Sequence, residues 1–185
     1  MKELSLHLLD IAENSINACA NHITIDISED IALDRLQLSV KDNGKGMTAE
    51  MALQITDPFV TSRTTRKVGL GIPLLKAAAE LCNGSLTIES TPGKGTVLFV
   101  DFQRSHIDRM PIGDLVGTLL QLVIGSPQIH WTFNYHTNNG IYEFDDQEIK
   151  QELDGIPLSE PAIVSFLRNE ISTGINNINF VKVIN

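Results

Sequence analysis

Residues 42–47 of this 185-residue chain are DNGKGM, an aspartate followed by a glycine-rich bend. They come directly after residues 36–42 (LQLSVKD), in which apolar and polar residues alternate, so this segment predicts a half-buried strand. A carboxylate at a strand end, followed by glycines, would lie on the floor of a pocket and could accept a hydrogen bond from an amino group. The motif alone is equally typical of a simple turn, so its assignment to a site depends on two other segments.

The first of these segments, residues 3–20, has the periodicity of an amphipathic helix. Its mostly apolar face is formed by Leu4, Leu8, Ile11, Ser15 and Ala18. Its polar face is formed by His7, Asp10, Asn14, Asn17 and Asn21. A polar helix face is usually only solvated, but three asparagines are a poor choice for that purpose because Asn disfavours helix. An asparagine carbonyl is, however, a hard oxygen ligand suited to Mg²⁺.

The second segment is a helix predicted over residues 69–82, after a polar and basic loop at 57–68. It opens with Gly69, Leu70 and Gly71. Glycines at a helix start let backbone N–H groups approach an anion closely, and the helix dipole favours negative charge there. In this order, the three segments predict a site for a Mg²⁺-nucleotide.

The other elements are predicted from alternation and helical spacing. Strands are expected over residues 23–29, 85–91, 96–102, 129–136 and 141–145, and helices over 49–55, 114–124, 146–153 and 160–173. Thr48 is expected to cap the 49–55 helix, with Met51 in the core. The hairpin at 129–145 either packs on the 114–124 helix or docks a partner through two free strand edges.

Charge and composition narrow the possible partners. The net charge of −9 and the pI near 4.9 disfavour non-specific nucleic-acid binding. Two cysteines do not make a disulfide framework and indicate a reducing compartment. The longest apolar stretch, around residues 115–124, is too short to span a bilayer, and the N-terminus does not resemble a secretory signal. We therefore expect a cytoplasmic protein with neither nucleic-acid nor membrane partners.

Four sequence motifs occur in a familiar order. They lie at residues 8–20 (an N-box), 42–47 (a G1 box), 57–59 (an F-box), and 68–72 together with Gly95 and Thr96 (a G2 region). This arrangement resembles the GHKL superfamily of ATPases: gyrase-type topoisomerases, ninety-kilodalton heat-shock chaperones, histidine kinases and MutL-type mismatch-repair proteins. The resemblance covers residues 3–102. The N-box is similar to that of MutL, whereas residues 59–102 are closer to histidine kinases.

The resemblance implies a fold and a domain organisation. The fold class would be α+β, a two-layer α/β sandwich of the Bergerat type with helices on one face of a mixed, mostly antiparallel sheet. We expect a histidine-kinase-like ATPase domain over residues 1–104. A small α+β extension of unknown role would follow over residues 105–185.

The resemblance also implies roles for individual residues. Asn14 would bind Mg²⁺, Asp42 would accept a hydrogen bond from the adenine amino group, and Met47 would pack near the base. The glycines of the turn and the phosphate cradle would be Gly44, Gly46, Gly69 and Gly71, with Leu70 beside them. Further ATP contacts would come from Asn17, Phe59, Thr96, and the loop cations Arg63 and Lys67, which are otherwise solvated charges.

Asp10 is a departure from the superfamily pattern. Hydrolytic members and anti-sigma-factor kinases typically place Glu there as general base, and many histidine kinases place Asn. The aspartate is one methylene shorter than Glu, so it would reach its substrate through a bridging water. His7 on the same helix face would line the rim of the site.

The expected function is Mg²⁺-ATP binding by a stand-alone module that phosphorylates a partner protein, as histidine kinases or anti-sigma-factor kinases do. We expect neither a sensor segment nor a phosphoacceptor domain before the N-box of such a module. One alternative is a slow ATPase that drives a conformational or dimerisation cycle. Another is a sensor that binds ATP without catalysis. The protein partner is unidentified, and the extension is a candidate surface for homodimerisation or docking.

Overall fold

The computed structural model describes residues 3–56 and 71–179. Its helices are α1 (Leu4–Asn17), α2 (Ala49–Ile55), α3 (Gly71–Leu81), α4 (Leu115–Gly125), α5 (Asp146–Glu152) and α6 (Pro161–Asn179). Its strands are β1 (His22–Asp30), β2 (Arg35–Asp42), β3 (Ser85–Thr91), β4 (Gly95–Gln103), β5 (His130–Thr137) and β6 (Gly140–Asp145). The predicted helices and strands are all present, although several bounds differ.

The strands of the described residues form one mixed sheet in the order β3-β4-β2-β1-β5-β6. β1 and β5 are parallel, and each other neighbouring pair is antiparallel. Because successive side chains of a strand point to opposite faces, the apolar residues gather on one face and meet the helices there. The predicted α+β sandwich, with helices on one face of a mostly antiparallel sheet, is confirmed.

The core lies between this sheet face and the helices α1, α3, α4 and α6. Every second side chain of the central strands is fully buried, as in Ile23, Ile25 and Ile27 of β1 and Trp131, Phe133 and Tyr135 of β5. The intervening residues are only partly buried. The strict alternation thus fixes which face of each strand carries the helices, and it leaves the other face polar.

The extension does not present a hairpin with two free edges, and that prediction was wrong. β5 pairs with β1 from His22↔His130 to Ser28↔His136, so one edge of the hairpin is covered by the central sheet. An unpaired edge would leave a row of backbone donors and acceptors unsatisfied, and the parallel pairing removes that cost. α4 contacts both α1 and α6. The domain boundary after residue 104 stays a prediction, and the sheet continues across it.

Local predictions around α2 had mixed outcomes. Thr48 caps the helix, since its side-chain oxygen accepts a hydrogen bond from Met51 N at 3.3 Å. Met51 is not a core residue, because half of its surface is exposed and the neighbouring Ala52 is buried instead. A helix of two turns buries only a narrow face, and Ala52 lies on that face. No helix of the described residues is both long and apolar enough to cross a membrane.

Candidate functional site

Three predicted segments meet at one end of the sheet: helix α1, the loop after β2 and the start of α3. Ser15 in α1 donates a hydrogen bond from its hydroxyl to Asp42 Oδ2 at 2.7 Å. Lys45 N in the loop donates to Ala18 O at 2.9 Å, just beyond the end of α1. Gly71 lies directly against the Asp10 carboxylate. The N-box, the G1 box and the last residues of the G2 region are therefore parts of one site.

The Asp42 carboxylate is buried and held from two sides. Its Oδ2 accepts from the Ser15 hydroxyl, and its Oδ1 accepts from Gly44 N at 2.8 Å. Only 8% of the residue is exposed. Hydrogen bonds to an ionised acceptor are stronger than neutral ones, so they fix the orientation of the carboxylate before any ligand arrives. The sequence placed Ser15 on an apolar face and missed this role, although a serine within an apolar stripe is itself a signal.

The glycines of the DNGKGM loop are required by close backbone approaches. A Cβ atom on Gly46, whose φ is +61°, would lie 2.0 Å from Thr91 O. A Cβ on Gly44 would lie 2.7 Å from Ala18 O. Only a residue without a side chain fits these positions at low cost. The loop is thereby pressed between the end of α1 and the β3–β4 hairpin.

Met47 and Thr96 are joined through Ser90, which the sequence did not single out. Met47 N donates to Ser90 Oγ at 2.9 Å, and that oxygen lies 2.9 Å from Thr96 Oγ1. Thr96 also pairs with Asp42 in the sheet register. The two strand ends that carry the aspartate and the threonine are therefore adjacent, as a site that contacts one ligand from both sides requires.

Asp10 and Asn14 lie one turn apart on α1. Asn14 Nδ2 donates to the Asp10 backbone oxygen at 2.9 Å, and Asn14 is exposed to solvent. A Cβ atom on Gly71 would come within 1.5 Å of Asp10 Oδ2, so the carboxylate occupies the space beside the first described residue of α3. Asn17, the last residue of α1, is also exposed. Asn14 and Asn17 are thus exposed on α1, and Asp10 is half-buried beside Gly71.

His7 does not line the rim of the site, and that expectation was wrong. Only 3% of the residue is exposed, and it lies among core residues of a helix that contacts both α3 and α4. Burial lowers the pKa of His7 below its usual value of 6.5, and the nearby Asp10 charge opposes this only partly. A neutral, buried imidazole is poorly placed to accept a phosphoryl group from outside.

Five predicted ligand contacts lie outside the described residues. They are Phe59, Arg63, Lys67, Gly69 and Leu70. Their assignments stay predictions.

The residues that are described fit ATP and a hard cation. Asp42 presents an oriented acceptor for an exocyclic amino group, and the loop around Gly44 and Gly46 leaves no side chain in the way. Asn14 supplies an amide oxygen of the kind that Mg²⁺ accepts. The arrangement can bind an adenine nucleotide, and it places a carboxylate, Asp10, near the start of α3.

A mixed sheet with helices on one face, a buried aspartate at a strand end and a glycine at the start of α3 define an ATP-binding domain of the histidine-kinase-like class. The family described as histidine kinase-, DNA gyrase B- and HSP90-like ATPase matches residues 2–106. The chain belongs to this family.

Several relatives are named as kinases or sensor proteins. Sporulation kinase C of Bacillus subtilis is 34% identical over 98 residues, which are 53% of this chain and 23% of that protein. The sensor protein kinase FleS of Pseudomonas aeruginosa is 38% identical over 89 residues, 48% of this chain and 22% of that protein. The chain therefore spans less than a quarter of the length of these curated relatives.

Among solved structures, the catalytic domain of the histidine kinase ThkA, in a nucleotide-free form, is similar with a TM-score of 0.44 and 22% identity. The similarity covers 56% of this chain and 68% of that domain.

Proposed function

We propose that this chain binds Mg²⁺-ATP and transfers the γ-phosphoryl group to a partner protein, as a cytoplasmic signal-transduction module. The observation that carries the proposal is the buried Asp42 carboxylate, oriented by Ser15 and by Gly44 N. Relatives named as kinases, which match about half of the chain, support the phosphotransfer step. Two unpaired cysteines support the cytoplasmic location.

Nucleotide selection follows from the chemistry of Asp42. Its carboxylate is an acceptor only, so it pairs with the amino group of adenine and opposes the carbonyl that guanine carries at the same position. Each carboxylate oxygen accepts one hydrogen bond from within the protein, from the Ser15 hydroxyl or from Gly44 N. A carboxylate offers about four lone-pair sites, so it can still accept a hydrogen bond from the base. ATP should therefore bind much more tightly than GTP.

The phosphate end of the site would be served by α1 and α3. Asn14 would hold Mg²⁺, which bridges phosphate oxygens and neutralises their charge when bound. The start of α3 at Gly71 would direct backbone N–H groups and the helix dipole toward the phosphates. Asp10, beside Gly71, would orient the attacking group or take its proton through a water molecule.

The slow-ATPase alternative is favoured by one observation: the Asp10 carboxylate lies at the start of α3, where it could activate water as readily as a protein hydroxyl or imidazole. The sensor alternative requires neither step. Homodimerisation is proposed only as a route to the partner, with residues 105–185 as the candidate surface.

Labelled ATP separates these functions. The full chain is incubated with Mg²⁺ and γ-³²P-ATP, alone and with a lysate from its own source. Label on a protein supports phosphotransfer, whereas free phosphate without protein label supports the ATPase. Tight ATP binding with neither product would contradict both catalytic readings. Asp10→Asn is the matched variant. It should form less labelled protein and less free phosphate than the wild type, while its ATP binding is kept.

A further inference from the structure

A second polar cluster lies at the same end of the sheet, where β5 begins and β6 ends. His130, the first residue of β5, faces Asp145, the last residue of β6, with 2.8 Å between His130 Nε2 and Asp145 Oδ1. Asp146 follows at the start of α5. One ligand atom from each of these three residues lies within 4.8 Å of the other two. None of them belongs to the nucleotide motifs.

The Asp146 carboxylate is the unusual member of this cluster. It is 1% exposed, whereas its neighbour Asp145 is a solvent-exposed helix cap. A buried carboxylate is costly unless positive charge or hydrogen bonds compensate it. One oxygen accepts from Trp131 N at 2.9 Å, and the other lies 2.5 Å from Lys150 Nζ. The cation already in this cluster is the Lys150 ammonium, and the backbone N–H of Trp131 in β5 orients the Asp146 carboxylate.

The His130 ring is also held in place. It stacks on His22, with the ring centroids 4.2 Å apart and the planes 11° from parallel. The His22 ring has a contact of its own, because its Nε2 lies 3.4 Å from Thr132 Oγ1 in β5. A fixed ring on a strand, with a carboxylate on the adjacent strand, is the preorganisation that a metal ligand set requires.

We propose that His130, Asp145 and Asp146 form a binding site for a divalent transition-metal ion of the zinc class. One imidazole with two carboxylates suits Zn²⁺ better than Mg²⁺, which prefers an all-oxygen shell. Zinc binds such ligands at about 2.0–2.2 Å, so the present separation of nitrogen and oxygen would give an angle of roughly 85° at the ion. Because the Asp145 side chain is 45% exposed, it can move outward to widen that angle. Water would fill the remaining position.

Lys150 sets the strength of the site. Its ammonium also donates to Ile129 O at 2.5 Å, so it can retain a partner when a metal takes over the Asp146 carboxylate. The two carboxylates and Lys150 together carry a net charge of −1, which favours a dication but not strongly. Binding should therefore be reversible.

Calorimetric titration of the full chain with ZnCl₂, without nucleotide or Mg²⁺, tests the site. We expect one Zn²⁺ per chain in the wild type. His130→Ala should weaken binding by at least about tenfold, as loss of even an outer-sphere partner does. His136→Ala is the matched control, because it lies at the other end of the same strand and outside the cluster. It should bind like the wild type.

Asp145→Asn provides a second variant that keeps the helix cap, since Asn caps as well as Asp. It should also bind at least about tenfold more weakly, and zinc should raise the melting temperature of the wild type and His136→Ala but of neither ligand variant. Equal zinc binding by wild type and both ligand variants would overturn the proposal in favour of adventitious binding. Absence of zinc binding by the wild type would overturn it outright, as would equal affinity for MgCl₂.

Discussion

Asp42→Asn should separate ATP binding from folding, because of how the carboxylate is held. An asparagine can still accept from Gly44 N through its oxygen, while its NH₂ group donates to the Ser15 hydroxyl, which only has to rotate. Both internal contacts therefore survive the change. The acceptor offered to the adenine amino group does not survive, because a donor replaces it.

The expected loss of ATP affinity follows from the buried donor that is left without an acceptor. A buried donor left without an acceptor costs about 1–3 kcal/mol, which corresponds to a Kd for ATP that is about five- to 150-fold higher. Titration calorimetry gives the Kd, and thermal unfolding gives the stability, which should change little. Asp42→Ala should instead raise the Kd for ATP and lower the stability, since it leaves the Ser15 and Gly44 donors unpaired in a buried place.

A matched control is Asp108→Asn, which removes the same charge from an exposed side chain far from the DNGKGM loop in sequence. It should leave the Kd for ATP unchanged. Unaltered ATP affinity in Asp42→Asn would refute the assignment of this carboxylate to adenine. An equal loss in Asp108→Asn would show that net charge, not the hydrogen bond, controls the affinity.

Three further predictions concern the same end of the molecule. Asp10→Asn should keep ATP binding and lower turnover by about 10²–10⁴-fold in a phosphate-release or transfer assay, the usual share of a general base. Gly71→Ala should reduce turnover because its Cβ would collide with the Asp10 carboxylate, whereas Gly125→Ala, whose Cβ meets nothing within 4 Å, should not. Burial lowers the pKa of His7, so the unfolded chain takes up the proton first and the free energy of unfolding should fall as the pH drops below 6.5. Denaturant titrations at several pH values should show a smaller slope for His7→Gln, and an unchanged slope would contradict a buried neutral imidazole.

Much of the nucleotide site was predictable because its signals are local. The DNGKGM bend follows a strand, and the glycines are needed where the backbone approaches Ala18 and Thr91. Ser15 was missed because helical periodicity assigns a residue to a face but does not say whether a hydroxyl on that face has a partner. That partner, Asp42, lies 27 positions away in the chain.

The position of the C-terminal strands could not be predicted from their own sequence. Alternation in residues 129–136 defines which side chains are buried, but it is the same for a parallel and an antiparallel neighbour. The pairing of β5 with β1 connects segments about a hundred residues apart, as in Ile25↔Phe133. His7 was misplaced for a related reason, since its burial depends on how other helices pack against α1.

The parallel ladder between β1 and β5 has a consequence for the cooperativity of unfolding. Amide protons of β1 are held on one side by β2, next to the nucleotide loop, and on the other by β5. Unfolding of the segment that contains β1, or of the segment that contains β5, would break the hydrogen bonds between these two strands. Hydrogen exchange in the amides of Ile25 and Phe133 should therefore slow together when ATP binds.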